Sequence, residues 1–88
     1  MIRLALILLL SGCAAMDYDW KFTSAPIHPK QWRYVYLADA RKVCQNYYPR
    51  AADACTVRGH ECLMILPINP PRWLVEHERK HCEGWNHG

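Results

Sequence analysis

Several features are scarce or missing in this 88-residue chain, and each absence removes a class of function. A helix needs about 20 apolar residues to cross a bilayer, and the longest apolar run, Leu4 to Leu10, falls far short. No block of like charge exists. The 11 Lys and Arg stand against 8 Asp and Glu, a formal net charge of +3, which is not the footprint of a nucleic-acid binder. No internal repeat or low-complexity tract occurs, so a repeat array is excluded. There is no Cys-x-x-Cys pair, the usual spacing of a thiolate zinc site. The chain is also short: a domain of this size buries a modest core and needs staples.

The staples come from cysteine. Of the five cysteines, Cys13 stands apart near the start, and Cys44, Cys55, Cys62 and Cys82 remain as an even set. In a small exported chain such a set reads as two disulfides. Three connectivities are possible. The pattern of elements favours Cys55–Cys62 across a hairpin and Cys44–Cys82 between two helices.

Export is argued from the first thirteen residues. Arg3 precedes the short apolar run, as in a secretory signal peptide, and Leu10-Ser11-Gly12-Cys13 follows. That tetrapeptide resembles the bacterial lipobox. The resemblance implies that residues 1–12 are removed and that Cys13 is lipidated and anchors the chain to a membrane, since each buried methylene contributes about 0.8 kcal/mol. Ala14 after the cysteine implies an outer-membrane protein facing the periplasm. Residues 13–30 then read as the lipidated cysteine and a tether containing Pro26 and Pro29, with Trp20 and Phe22 free to pack on the domain. Residues 31–88 form the domain.

Within that domain the pattern predicts strand, helix, strand, strand, helix. Arg33–Leu37 is β-branched and aromatic and reads as a strand. Asp39 is a suitable N-cap for a helix running to about Tyr48, stopped by Pro49. Ala54–Val57 and Glu61–Leu66 flank Gly59 as a hairpin. A two-residue turn at Arg58-Gly59 would set Cys55 opposite Cys62. The apolar run Cys62–Leu66 suits a strand covered on both faces. After Asn69-Pro70-Pro71 a second helix runs to about Glu83. The expected class is α+β, a small three-stranded sheet packed on two disulfide-stapled helices.

The last helix carries the chemistry. His77 and His81 lie one turn apart on one helix face and can bind one metal ion. Glu78 stands beside them, where a carboxylate can take a proton from activated water. Gly84 can leave the helix in a conformation other residues avoid, which lets the chain swing back and His87 supply a third ligand. Three protein ligands with one open position is the pattern of a catalytic zinc. His77-Glu78-Arg79-Lys80-His81-Cys82-Glu83-Gly84-Trp85-Asn86-His87, or H-E-x-x-H-x-x-G-x-x-H, resembles the zinc signature of the metzincin metallopeptidases. The resemblance implies a minimal zincin-like core, zinc as cofactor, Glu78 as general base, and a peptide or peptidoglycan substrate added to a strand edge. Strand Cys62–Leu66 is the expected strand nearest the site.

The metzincin methionine turn after the third histidine has no counterpart, because Met16 and Met64 precede the helix. The pocket wall that follows is either absent or supplied by a protein partner, so ligands and base are carried over but specificity is not. Three functions follow in order: an anchored zinc hydrolase, a zinc-binding module without catalysis, and a structural or lysis-related envelope lipoprotein. Elsewhere, His28, His60, Arg79 and Lys80 read as solvated, Trp85 as a cover for the helix end, and Tyr34, Tyr36, Tyr47 and Tyr48 as packing or surface.

Overall fold

The computed structural model describes residues 19–87; the expected signal peptide, Cys13 and the first part of the expected tether lie outside them. The chain forms an α+β fold. The elements in order are β1 (Trp20–Phe22), a single 3-10 turn (Pro29–Gln31), β2 (Trp32–Tyr36), α1 (Ala40–Gln45), β3 (Cys55–Arg58), β4 (Cys62–Leu66), α2 (Arg72–Cys82) and β5 (Trp85–His87). Strands β2, β4 and β3 make one sheet in that order, β2 parallel and β3 antiparallel to β4. Strands β1 and β5 pair antiparallel as a separate ribbon. No helix among the described residues is long and apolar enough to cross a membrane.

Strand β4 is central because its sequence offers apolar side chains to both faces, and alternation sorts them. Cys62, Met64 and Leu66 join Leu74 and Cys82 of α2 in one core. Ile65 joins Ala40 and Cys44 of α1, with Cys55 of β3, in the other, and Leu63 packs against it. Helix α2 buries Leu74, Glu78 and Cys82, a stripe at intervals of four that lies on the sheet. Its entry is a turn through Asn69 at φ 55°, so the helix starts at Arg72, after both prolines. Helix α1 is shorter than expected, ending at Gln45 rather than near Tyr48. Asp39 occupies its N-cap but makes no capping bond.

The expected pairing of the cysteines is corrected. The disulfides are Cys44–Cys55 and Cys62–Cys82, each with a Cα–Cα separation of 5.7 Å, not Cys55–Cys62 and Cys44–Cys82. The hairpin loop holds three residues, Gly59, His60 and Glu61, closed by Gly59 N–H donating to the Glu61 carbonyl at 2.9 Å. Arg58 therefore faces Cys62, and Cys55 faces Ile65. Cys62 is three residues from Ile65, about 10 Å along the strand and on the opposite face. Cys55 can meet only the α1 cysteine, and Cys62 only the α2 cysteine.

Part of the segment read as a tether packs on the rest of the chain. Residues 20–22 form β1, and the segment after them is bound to the end of α2: Thr23 and Ser24 N–H donate to the Gly84 carbonyl at 2.9 and 3.2 Å, and Ile27 N–H to the Cys82 carbonyl at 2.9 Å. The Trp32 indole N–H donates to the Ile27 carbonyl at 2.8 Å. A stretch without periodicity is thus folded because it supplies partners to a helix end that would otherwise lack them.

Proteolysis of the oxidised protein without reduction is expected to release Cys44–Cys55 and Cys62–Cys82 peptides. Replacing the second pair together, Cys62→Ala with Cys82→Ala, is expected to lower unfolding free energy by about 3 kcal/mol, read from urea midpoints.

Candidate metal centre

The C-terminal end of α2 and the strand after it gather three imidazoles. His77 and His81 stand on the helix, on a face flanking the buried stripe. Gly84 follows with φ +105°, a backbone conformation closed to L side chains, and a Cβ there would sit 2.2 Å from the Ser24 carbonyl oxygen and 2.8 Å from the Phe22 ring. Only glycine permits both the turn and this approach. The chain then reverses into β5, which returns His87 to the helix.

Each of His77, His81 and His87 offers one ring nitrogen, and these three atoms lie within 4.8 Å of one another. The Nε2 atoms of His77 and His87 are 3.0 Å apart. Four-coordinate zinc places its nitrogens about 3.3 Å apart, from Zn–N bonds of about 2.0–2.1 Å. The His77–His87 pair is close to that spacing, and all three nitrogens lie within 4.8 Å of one another. The Nδ1 atom of His81 lies 2.9 Å from the Trp85 carbonyl. Donation to that carbonyl leaves Nε2 with its lone pair directed elsewhere, the usual arrangement of a ligating histidine. Three imidazoles suit zinc, copper, iron or nickel.

Glu78 lies in the apolar stripe between Leu74 and Cys82 and is 4% exposed. The Thr56 hydroxyl of β3 is 2.8 Å from Glu78 Oε1 and 3.0 Å from its backbone carbonyl. Burial pushes the carboxyl up to about 7, against the pull of the Thr56 bond. The same burial pushes His77 down to about 4, helped by the charges of His81 and His87, and lowers His81 despite its bond to Trp85. Desolvation disfavours whichever form is charged, so it moves acid and base in opposite directions.

All four groups border one open cavity of about 530 Å³. Its other walls include Tyr48, Arg50, Thr56, Arg58 and Trp73. The structure therefore brings His77, Glu78, His81 and His87 to one cavity, with the three imidazoles close enough to hold a metal ion. Strand β3, not β4, faces the cavity: β4 is sandwiched inside the sheet, and β3 forms its edge. Arg79 and Lys80 are not simply solvated. The Arg79 guanidinium lies 5.6 Å from the Trp32 ring centre, and Lys80 Nζ lies 4.8 Å from that of Trp85 and 5.4 Å from that of Trp20. Trp85 also packs edge-on against Phe22. His28 caps the 3-10 turn through Lys30 N–H.

Sequence reasoning missed Thr56, Trp20, Tyr48 and Arg58. The Tyr48 hydroxyl donates to the Thr56 carbonyl at 2.9 Å. Arg58 donates to the His81 carbonyl at 2.7 Å and to that of Ala25. Thr56 pairs with Met64 and so shares the face that α2 covers, a placement that the expected register, with Cys55 opposite Cys62, does not give. Comparison with protein-family models, with curated proteins and with solved structures finds no match.

Gly84→Ala is expected to cost about 1–3 kcal/mol from the backbone alone, and to displace β1 and His87 as well, so metal affinity should fall with stability. Isothermal titration beside urea unfolding measures both. For the metal-free protein a pH effect follows from His77. Its folded value lies below the unfolded 6.5, so its contribution to stability is complete above that pH and is lost as pH falls toward about 4. In chelator, the wild-type urea midpoint is expected to drop more steeply across that window than that of His77→Gln. Glu78 acts with the opposite sign, losing stability as pH rises through about 7, and is common to both proteins.

Proposed function

We propose that this protein is a membrane-anchored zinc-dependent hydrolase with a zincin-like core, cleaving peptide bonds in cell-envelope proteins or in peptidoglycan cross-links. The observation that carries the reading is the convergence of three imidazole nitrogens within 4.8 Å, with a buried carboxyl on the adjacent residue lining the same cavity. The donor set fits zinc: three imidazoles, one of them bonded through Nδ1 to a backbone carbonyl.

Zinc bound there supplies Lewis acidity toward the scissile carbonyl and lowers the pKa of water toward ~7. His77, His81 and His87 hold it. Glu78 takes the proton of the attacking water and delivers it to the leaving amine. In the metal-free protein burial pushes the pKa of Glu78 up to about 7, and the Thr56 hydroxyl holds one of its oxygens. Strand β3 is an edge of its sheet and borders the cavity, and an extended peptide would add to it as a further strand through backbone hydrogen bonds. Export and the lipid anchor at Cys13 rest on the lipobox resemblance.

A second reading, a metal site without catalysis, is favoured by the Thr56 bond, which occupies one carboxyl oxygen of Glu78. Glu78 separates the two. The protein folded in an oxidising compartment is expected to hold one zinc per chain, and His81→Ala none. Glu78→Gln should keep the zinc and lose at least 100-fold in peptide hydrolysis, in line with general-base contributions of about 10²–10⁴. A wild-type protein that binds zinc but cleaves neither peptide nor peptidoglycan libraries would leave the non-catalytic site standing.

A further inference from the structure

The third ligand is held by a strand that the helix motif does not contain. Strand β1 pairs with β5 so that Trp20 lies directly opposite His87. The Trp20 ring centre is 5.0 Å from that of His77, 5.5 Å from His81 and 5.4 Å from His87. The three imidazole centres are themselves 4.9 to 5.2 Å apart. The four rings thus stand at the corners of a nearly regular tetrahedron. The cavity is lined by the three histidines and not by Trp20, so the indole covers the triad on a side other than the one open to solvent.

We propose that Trp20 is a positioning residue of the metal centre: it packs the three imidazoles into a ligating arrangement and closes the triad on that side, so that an ion is reached only through the cavity. The proposal rests on the reading of His77, His81 and His87 as metal ligands. The physical argument is one of pre-organisation. His77 and His81 are oriented by one helix. His87 is the exposed last residue of a three-residue strand and would lose much freedom on ligation. The pairing of β5 with β1 removes that freedom beforehand. The Asn86 amide donates to the Thr23 hydroxyl, which joins the two sides of the ribbon, and Arg58 ties the His81 carbonyl to that of Ala25, which holds the segment after β1 to the end of the helix.

An indole is apt for this position. It has no lone pair to compete for the ion, its ring excludes water from behind the ligands, and it provides a face for the Lys80 ammonium, 5.4 Å from its centre. Groups that orient the ligands of a metal typically account for about 10- to 100-fold in affinity.

The test is a cobalt(II) titration of the oxidised full chain, following both affinity and the visible ligand-field spectrum, in wild type, Trp20→Ala, Trp20→Leu and Trp20→Phe. Disulfide mapping confirms native pairing in each. Trp20→Ala and Trp20→Leu are expected to bind about 10- to 100-fold more weakly with a weakened, shifted spectrum, and Trp20→Phe to recover most of both. If Trp20→Ala fails to attain native pairing, Trp20→Leu, which retains apolar bulk without a ring, is judged by the same criteria. Wild-type affinity and spectrum in a natively paired Ala or Leu variant would overturn the role of Trp20 and leave the metal site intact. No cobalt bound by the wild type would overturn the metal site, and the proposal with it.

Discussion

Strand β4 is buried on both faces, and the rest of the structure depends on that. Five consecutive apolar residues, Cys62 to Leu66, cannot be placed against solvent on either side, so two layers must cover them. Helix α1 takes the face of Leu63 and Ile65, and α2 takes that of Cys62, Met64 and Leu66. Each helix is then pinned to its own face by one disulfide. The Cys62–Cys82 bond is the consequential one for the site, because Cys82 follows His81 directly and precedes the turn at Gly84. The covalent staple that holds α2 on the sheet also fixes where the chain leaves the helix.

The layering explains the chemistry of the site. Setting α2 on the sheet places Glu78 in the apolar stripe over Thr56, and leaves His77 and His81 on the flank beside the cavity. A single cause, removal from water, raises the carboxyl and lowers two imidazoles. The result is two imidazoles favoured in the neutral form beside a carboxyl that resists ionisation. Such a cluster is suited to receive a dication, since the imidazoles need not shed protons first and the carboxyl gains a reason to ionise.

Much of this was legible in the residues. The helix-spaced histidines, Glu78, the glycine exit and the returning His87 all follow from periodicities and from the special conformation of glycine. The two-sided strand followed from its unbroken apolar run. The disulfide pairing did not, because it turns on whether the hairpin loop has two residues or three, and a change of three in register exchanges the faces of a strand. Strand β1 was illegible for a different reason. Three residues carry no usable alternation, and Trp20–Phe22 is a strand only because β5 and the helix end accept its hydrogen bonds. Thr56 and Arg58 became functional neighbours through the sheet, at distances in sequence that no local pattern reports.

The ribbon of β1 and β5 joins the earliest and the latest strands of the described chain. Their meeting closes the longest loop in the fold, and contacts of that kind form late, after local structure has reduced the entropy of closure. Two of the three imidazoles are brought together as soon as α2 winds. The third arrives only with the ribbon. A partly folded chain therefore presents only two of the three imidazoles together, and the full cluster exists only in molecules that have finished folding.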